Sequence, residues 1–420
     1  MIEAQARNAA PEGDTSLQIA PLPRVSIQAF CETPDVAEAM QAVAADRRLE
    51  KAHVKVQMGG ARAAADAYRN APTPNVIVIE TDARRDELLA HLERLAEVCD
   101  AGTRVVIIGH VNDVLLYREL IRRGVSEYLV APVPTIDLVR ALSELFRAPD
   151  AEPVGRLVAF CGAKGGAGAS SVAHNVSFAM AKGLGVETVV ADLDLAFGTA
   201  GLDFNQDPPQ GIAEAVFSPE RLDANFIDRL LFKCAEKLSL LAAPATLERS
   251  YDFSEDSFDG LVDILRLNVP CAVLDLPRQW TAWTRRMMTV ADEIVIVATP
   301  DLASLRNAKN LMDLLKAQRP NDAMPRLILN QVGLPKRPEI KPADFASALD
   351  VEPIAVIPFD AALFGTAANN GQMILETQSS HKINDSFLEV ARIVTGKSET
   401  KNARRGLLTP ILARLSAKRA

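Results

Sequence analysis

The sequence predicts an α/β protein with two doubly wound parallel-sheet domains joined by a short linker. Three observations predict this fold class. Residues 24–147 alternate five strand-like with five helix-like segments, as chains of parallel β-α units do. Residues 157–182 join an apolar strand, a loop with three glycines and a helical pattern. Further along, several apolar strand-like segments each end in an acidic or polar residue.

The composition is that of an ordinary globular chain. Its 420 residues are 48% hydrophobic and 24% charged, which allows two or three domains. The net charge of −8 gives no argument for binding nucleic acid or an anionic membrane. Without a signal pattern or a membrane-spanning apolar run, the sequence predicts a cytoplasmic protein. Five cysteines without metal-ligand spacing predict free thiols in a reducing compartment: Cys31, Cys99, Cys161, Cys234 and Cys271.

Changes in composition predict the limits of the domains. We expect a disordered lead at 1–22, a first domain at 23–147, a linker at 148–155 and a second domain at 156–397. The tail at 398–420 is basic, with leucines and isoleucines between its arginines and lysines. Three interpretations of this tail stay open: a helix that contacts the membrane surface, a docking segment for another protein, or a solvated end.

The first domain resembles the receiver domain of two-component response regulators, which has a flavodoxin-type sheet. The resemblance rests on the order and lengths of its elements and on residues 124–132, Gly-Val-Ser-Glu-Tyr-Leu-Val-Ala-Pro. Strands are predicted at 24–30, 53–57, 75–79, 104–108 and 127–130, and helices at 34–46, 61–70, 86–99, 111–123 and 136–146.

The residues that a receiver needs for phosphorylation are missing. A receiver has an acidic pair after its first strand, an aspartate after the third, a serine or threonine after the fourth and a lysine before the final proline. The corresponding positions here are Phe-Cys-Glu at 30–32, Glu80, Gly109 and Ala131. The pattern therefore predicts a pseudo-receiver that binds a partner, with a working receiver as the rival interpretation. Glu80 and Asp82 are expected to be solvated carboxylates at a strand end.

The glycine loop has the spacing of a phosphate-binding loop, G-x-x-x-x-G-K-[ST], with one departure. Gly162, Gly168 and Ser170 match, but Ala169 stands at the lysine position. One lysine, Lys164, lies near the start of the loop instead. Backbone N–H groups of such a loop and of the following helix bind an anion, and a serine hydroxyl can bind Mg²⁺. The cradle residues predicted to bind ATP are Gly165, Gly166, Ala167, Gly168, Ala169, Ser170 and Ser171.

The string from Lys164 to Ser171 resembles the deviant Walker A motif, K-G-G-x-G-K-[TS], of the MinD/ParA family of dimeric ATPases with a P-loop NTPase fold. The resemblance implies that Lys164 reaches the nucleotide of the partner subunit. It also implies a role for Asp192-Leu-Asp194, which follows a strand at 187–191: the first aspartate lies near Mg²⁺ and the second orients the attacking water.

Another acidic residue follows the strand predicted at 271–274. Asp275 has the Walker B position, which holds Mg²⁺ through water. The predicted metal residues are therefore Ser170, Asp192 and Asp275, and the predicted catalytic residues are Lys164 and Asp194. The family's form is D-x-P-x-G, and Gln279 replaces the glycine that meets the γ-phosphate.

Strands are also predicted at 293–298, 326–329 and 354–357. In the MinD/ParA family, the residues after the last two lie beside adenine, which assigns Asn330, Pro358 and Asp360 to the base. The stretch with Trp280 and Trp283 has two interpretations. One is a helix packed on the sheet, and the other is an interaction surface.

The whole arrangement at 24–395 resembles the CpaE/TadZ pilus-assembly ATPase family of Flp (Tad, type IVc) pilus systems. The resemblance implies ATP and Mg²⁺ as cofactors, a homodimer, a role in localising and assembling the pilus machine, and pilus secretion components as partners (a secretion ATPase and an inner-membrane platform). It implies a polar position with peripheral contact to the inner membrane. Since Ala169 replaces the lysine, hydrolysis is expected to be weak at most.

Two other functions are alternatives to this one. One is a DNA-partition or septum-site type ATPase with active hydrolysis, which the charge of −8 and Ala169 oppose; no nucleic acid partner is expected. The other is a signalling regulator that works through its receiver domain, which the missing phosphorylation residues oppose.

Overall fold

The structure, a computed structural model, describes residues 18–69, 71–148 and 154–397. Residues 1–17 of the predicted lead, residues 149–153 of the predicted linker and the basic tail at 398–420 lie outside the described residues. The three interpretations of that tail therefore stay untested. The prediction that the disordered lead extends to residue 22 is wrong, because Leu22 is buried and its N–H donates to the carbonyl of Arg48 at 2.7 Å. Among the described helices, none is both long and apolar enough to cross a bilayer.

The first part of the chain forms a five-stranded sheet flanked by helices. Its strands are β1 (Ser26–Cys31), β2 (His53–Met58), β3 (Val76–Thr81), β4 (Arg104–Gly109) and β5 (Glu127–Val130), and its helices are α1 (Pro34–Ala44), α2 (Gly60–Ala67), α3 (Arg85–Ala96), α4 (Val114–Arg122) and α5 (Thr135–Leu145). All strands are parallel, in the order β2-β1-β3-β4-β5. This is the predicted flavodoxin-type order. β3, Val-Ile-Val-Ile-Glu-Thr, is buried on both faces, as a central parallel strand should be.

The second part forms an eight-stranded sheet. Its strands are β6 (Arg156–Gly162), β7 (Thr188–Asp192), β8 (Phe232–Ala235), β9 (Leu238–Leu241), β10 (Cys271–Asp275), β11 (Glu293–Ala298), β12 (Arg326–Val332) and β13 (Pro353–Pro358). Its helices are α6 (Ala169–Phe178), α7 (Ala200–Asp203), α8 (Ile212–Phe217), α9 (Ala224–Leu230), α10 (Asp259–Asn268), α11 (Ala282–Val290), α12 (Leu302–Gln318), α13 (Pro342–Leu349), α14 (Ala361–Asn370), α15 (Ile374–Thr377) and α16 (Ile383–Thr395).

The strand order of this sheet is β13-β12-β11-β6-β10-β7-β9-β8. All neighbours are parallel except the edge strand β8, which pairs antiparallel with β9. Buried apolar residues cover both faces of the sheet. The α/β fold class predicted from the sequence is confirmed for both parts of the chain. The sequence did not predict β8 and β9, because Phe-Lys-Cys-Ala at 232–235 and Leu-Ser-Leu-Leu at 238–241 are too short to show a sustained period.

The two tryptophans have different environments. Trp283 and Met287 are buried on α11, where the Trp283 ring lies 4.6 Å from that of Phe258 between centroids. The predicted packing of this helix is therefore confirmed. Trp280 precedes the helix and is 53% exposed, so an interaction role remains open for it alone.

The carboxylate near the end of β3 corrects one expectation. Glu80 was expected to be solvated, but it is only 1% exposed. It accepts hydrogen bonds from the N–H groups of Glu32 (2.7 Å) and Thr33 (2.8 Å) and from the Thr33 hydroxyl (2.6 Å), and it lies 3.0 Å from the His110 ring. Burial raises the pKa of Glu80, but these partners outweigh burial and hold the pKa below its ordinary value. Asp82 is exposed, as expected.

At the end of β4, a glycine leaves room for a tyrosine. A Cβ on Gly109 would overlap the Tyr128 hydroxyl and lie 2.6 Å from its Cζ. That hydroxyl donates to the carbonyl of Val111 at 2.7 Å. Tyr128 therefore connects β5 to the segment before α4, and only a residue without a side chain at position 109 permits this contact.

A buried ionic cluster joins the two parts of the chain. Arg47, which follows α1, donates to Asp322 at 2.8 Å and to the carbonyl of Val290 at 2.9 Å. Asp292 accepts from Arg266 at 2.7 Å and lies 3.5 Å from Arg47. Burial raises the pKa values of Asp292 and Asp322, but the arginines outweigh burial and hold both pKa values below the ordinary range. These two carboxylates therefore remain ionised at the junction.

The first prediction concerns the space beside Tyr128. Gly109→Ala is expected to lower the free energy of unfolding by about 1–3 kcal/mol, because the new methyl group must displace the tyrosine ring. Urea denaturation followed by circular dichroism measures this change. The control is Gly365→Ala on α14, where a Cβ meets no atom within 4 Å. A helical alanine should be neutral or stabilising there by roughly 0.5–1 kcal/mol. Unchanged stability of Gly109→Ala would contradict the steric argument.

Candidate functional site

The candidate site lies where the carboxyl ends of the central strands of the second sheet meet. The glycine loop connects β6 to α6, and β10 and β11 are the neighbours of β6. In open α/β sheets, ligands bind at this edge. Gly168 has φ +83°, and a Cβ there would lie 2.5 Å from Nδ2 of Asn330. Both its left-handed backbone and its close contact therefore require glycine.

Two amide side chains from the end of β12 hold the loop. Nδ2 of Asn330 donates to the carbonyl of Ala167 at 2.8 Å, and Nε2 of Gln331 donates to the carbonyl of Gly166 at 2.8 Å. Gln331 has φ +56°, an uncommon backbone conformation for a residue with a side chain. Since the loop carbonyls are satisfied from β12, the loop's N–H groups remain available for an anion. This support was not predicted from the sequence.

The predicted cradle residues lie together around the start of α6. In the described part of the chain, no hydrogen bond engages the N–H groups of Gly165, Gly166 or Gly168. The first N–H groups of α6 also lack partners within the helix. A turn with free N–H groups and a helix N-terminus behind it is the geometry that binds anions in other proteins. The structure brings together all seven predicted residues here: Gly165, Gly166, Ala167, Gly168, Ala169, Ser170 and Ser171.

A cavity of about 230 Å³ adjoins the cradle. The residues predicted for the base, Asn330, Pro358 and Asp360, all line it. Phe364 lines it as well, and the sequence prediction missed this residue. Asp360 also accepts a hydrogen bond from the N–H of Leu363 at 2.9 Å and so caps α14. A polar cradle next to a cavity with an aromatic wall suits a phosphate joined to a flat ring.

The predicted acidic residues lie beside the cradle. Asp192 and Asp275 are paired residues at the ends of the neighbouring strands β7 and β10, and both are buried. Asp192 accepts from the N–H groups of Asp194 (3.2 Å) and Ala200 (3.0 Å). Burial raises the pKa of Asp192, and the charge of Asp275 raises it further. Asp194 is half-buried and accepts from the N–H of Phe197 at 3.1 Å.

His174 is a site residue that the sequence prediction missed. It is fully buried on α6, with Nδ1 2.7 Å from Asp203 and Nε2 3.3 Å from Asp275. Burial lowers the pKa of His174, but the two carboxylates outweigh it and raise the pKa above its ordinary value. The available signal was its position one helical turn after Ser170. A histidine among apolar residues is more often part of a core, so the signal was weak.

One buried atom bears on the predicted Mg²⁺. Oδ1 of Asp275 has no hydrogen-bond partner in the described structure. No group of three or more histidine, cysteine or acidic side chains that could hold a metal occurs among the described residues. Mg²⁺ bound with a nucleotide takes few protein ligands, because phosphates and water supply most of its oxygens. One serine hydroxyl and a free carboxylate oxygen fit that requirement.

Lys164 lies at the rim of the cradle and is paired within its own chain. Its Nζ donates to Asp301 at 2.6 Å. Asp301 also accepts from the N–H of Ser304 at 2.9 Å, so it caps α12, and from the hydroxyl of Thr299 at 2.6 Å. Burial raises the pKa of Asp301, but Lys164 and these donors outweigh burial and lower it to about 2. The sequence prediction did not assign Asp301 to Lys164.

Comparison with known proteins finds similar proteins for both parts of the chain. No protein-family model matches it. The septum site-determining protein MinD of Synechocystis is 27% identical over 250 residues, which are 58% of this chain and 90% of that protein. MinD of Pyrococcus horikoshii, solved with Mg-ADP, has a TM-score of 0.51 and 20% identity over 57% of this chain and 96% of its own. This likeness concerns the fold.

A third comparison concerns the receiver-like part. The solved chain of the pilus assembly protein CpaE from Caulobacter crescentus is 45% identical, covering 31% of this chain and 100% of its own, with a TM-score of 0.31. The sequence identity carries this match. Fold and site define a P-loop protein of the MinD/ParA-like class behind a receiver-like domain. The chain belongs to the CpaE/TadZ family, as predicted.

The second prediction concerns the pair of Lys164 and Asp301. Asp301→Asn keeps a helix-capping side chain but removes the charge that holds the lysine. Since a partly exposed ion pair contributes up to about 1 kcal/mol, an amine-reactive label should modify Lys164 roughly fivefold faster. Mass spectrometry reads the rate. Asp313→Asn, at the exposed pair with Lys309, is the control and should leave the labelling of Lys309 nearly unchanged. Equal labelling of Lys164 in wild type and variant would refute the pairing.

Proposed function

We propose that this protein binds ATP with Mg²⁺, forms a nucleotide-dependent homodimer, and helps to localise and assemble a Flp/Tad-type pilus secretion machine. The observation that carries the nucleotide part is the anion-binding turn next to a cavity of about 230 Å³. The pilus part is supported by family membership and by the 45% identity to the Caulobacter pilus assembly protein.

In this proposal different residues bind the phosphates, the adenine and the Mg²⁺ of the nucleotide. The N–H groups from Gly165 to Ser171 bind the phosphates, and the cavity beside Asn330, Pro358 and Asp360 takes adenine. Mg²⁺, when bound, neutralises phosphate charge. Ser170 would hold it directly and Asp275 through water, with Asp192 beside them. Asp194 is assigned to orient the attacking water.

Hydrolysis is proposed to be slow. In P-loop enzymes a lysine at the position that corresponds to 169 stabilises the charge that develops on the β- and γ-phosphates. This chain has Ala169 at that position. Removing one preorganised donor of this kind costs on the order of 100-fold or more in rate. The nucleotide therefore serves to change the state of assembly more than to drive rapid turnover.

The proposed dimer buries the face that carries the cradle. Lys164 lies at the rim of the site, where it can reach the nucleotide of a facing subunit once it leaves Asp301. Large apolar side chains next to site residues are exposed: Phe197 at 69%, Leu302 at 73% and Trp280 at 53%. Large exposed apolar side chains that adjoin site residues favour contact with another protein surface. A second copy of the chain, related by a two-fold axis, fits this face.

The third prediction tests the nucleotide and the dimer. Calorimetry should detect binding of ATP with Mg²⁺ to the wild type. Ser170→Ala should weaken the Mg²⁺-dependent part by about tenfold, because one metal ligand is lost. Lys164→Ala should bind ATP almost normally but lose ATP-dependent dimerisation in sedimentation. Lys233→Ala, at an exposed position on the edge strand β8, is the control and should dimerise like wild type. Absence of ATP binding at millimolar nucleotide would refute the site.

The fourth prediction tests the pilus role. Tagged wild-type protein, purified from its own cells, should bring down the pilus secretion ATPase or its inner-membrane platform. Lys164→Ala should recover at least several-fold less of them if the ATP-dependent dimer is the form that assembles. Immunoblots for those components measure the recovery. Recovery of septum or partition proteins instead would favour the alternative functions.

A further inference from the structure

The cradle lacks the positive charge that its bound phosphates would require. Ala169 provides no cation, and Lys164 is already paired with Asp301. ATP carries several negative charges, and backbone N–H groups supply only partial charges against them. Another cation at the cradle would therefore strengthen phosphate binding considerably.

Arg278 lies beside the cradle. It follows β10 and the Walker B aspartate, after a buried Leu276 and a buried Pro277. The N–H of Leu276 donates to the carbonyl of Phe160 on β6 at 3.0 Å, which fixes this segment next to the strand that leads into the loop. The ring of Pro277 fixes its own φ angle, which restricts the backbone directly before Arg278. The approach of Arg278 is thus set by the sheet.

The side chain of Arg278 lies against the glycine loop. Its Cδ is 3.7 Å from the position that a Cβ on Gly165 would occupy, which is van der Waals contact. The guanidinium continues from there into solvent, because Arg278 is exposed. It makes no hydrogen bond or ion pair with any other residue that the structure describes, in contrast to Lys164.

The thiol of Cys161 lies close enough to Arg278 for the arginine's charge to affect its pKa. Burial raises the pKa of Cys161, at the start of the loop, and Asp275 raises it further, while the positive charge of Arg278 opposes both. Arg278 therefore acts electrostatically on the same small region as the Walker B aspartate and the loop. In P-loop proteins the Walker B aspartate holds the Mg²⁺ that bridges the β- and γ-phosphates, so the terminal phosphate of a nucleotide is expected on this side of the cradle.

We propose that Arg278 binds the terminal phosphate of the nucleotide and supplies the cation that is missing at Ala169. A guanidinium offers planar, paired N–H donors that match two phosphate oxygens, and it keeps its charge at any physiological pH. The inference rests on the proposed function, since it assumes a nucleotide in the cradle. It adds a preference for triphosphate over diphosphate, because Arg278 approaches from the Walker B side.

The experiment compares ATP and ADP affinities by calorimetry in the presence of Mg²⁺. Arg278→Ala should weaken ATP by about 10- to 100-fold, the range for hydrogen bonds to a charged group, and ADP by much less. Arg278→Lys should retain part of the ATP affinity as a point charge. Arg24→Ala removes an exposed arginine from the receiver-like part and should leave both affinities unchanged.

A rescue variant separates this role from a structural one. Adding Ala169→Lys to Arg278→Ala should restore most of the ATP affinity, because the cation returns from the helix side of the cradle. If Arg278→Ala binds ATP and ADP as wild type does, the inference is wrong while the proposed function stands. An equal loss for ATP and ADP without rescue also overturns it. If wild type binds neither nucleotide, the proposed function fails as well.

Discussion

The arrangement of the whole molecule depends on the buried charges between its two sheets. Arg47 reaches from the receiver-like part to Asp322 and to the carbonyl of Val290, and Asp292 is shared between arginines of both parts. Losing one partner of such a cluster leaves a buried charge uncompensated, which typically costs 3–5 kcal/mol. Since buried ion pairs require defined geometry, the cluster selects one orientation of the two parts. Asp292 also accepts from the N–H of Leu157 at 2.9 Å, so the same group anchors the strand that leads to the cradle.

At the opposite end of that strand, charge is distributed in an unusual way. Asp192 and Asp275 lie side by side next to the cradle. The buried His174 ring contacts Asp275 on one side and Asp203 on the other. Lys164 is occupied at the rim by Asp301. The basic side chains Lys164 and His174 thus contact carboxylates, while position 169, at the start of α6, carries alanine. If a nucleotide binds there, as proposed, no lysine at position 169 would stabilise the charge that develops on its phosphates during hydrolysis.

The sequence predicted those features that follow from local patterns. Apolar strands ending in Asp192, Asp275 and Asn330, together with the glycine loop, gave the fold and brought the candidate residues to one edge. Features that depend on contacts distant in sequence were missed. His174 pairs with residues 29 and 101 positions away, and its helix reads as plain core. The prediction that Glu80 is solvated is wrong for the same reason, because its hydrogen-bond partners lie in the β1–α1 segment and at His110, far from it in sequence.

The ionic cluster has a geometric consequence. Strand β6 begins at Arg156, and the N–H of its second residue, Leu157, donates to Asp292 of the cluster. The cradle follows Gly162 at the other end of the same strand, about 20 Å away. The receiver-like part therefore occupies the end of the molecule remote from the cradle. Two copies joined through their cradles would carry their receiver-like parts at opposite extremities. Any ligand of that part would then meet a bivalent particle, whose avidity for a clustered target exceeds that of one copy and disappears when the copies separate.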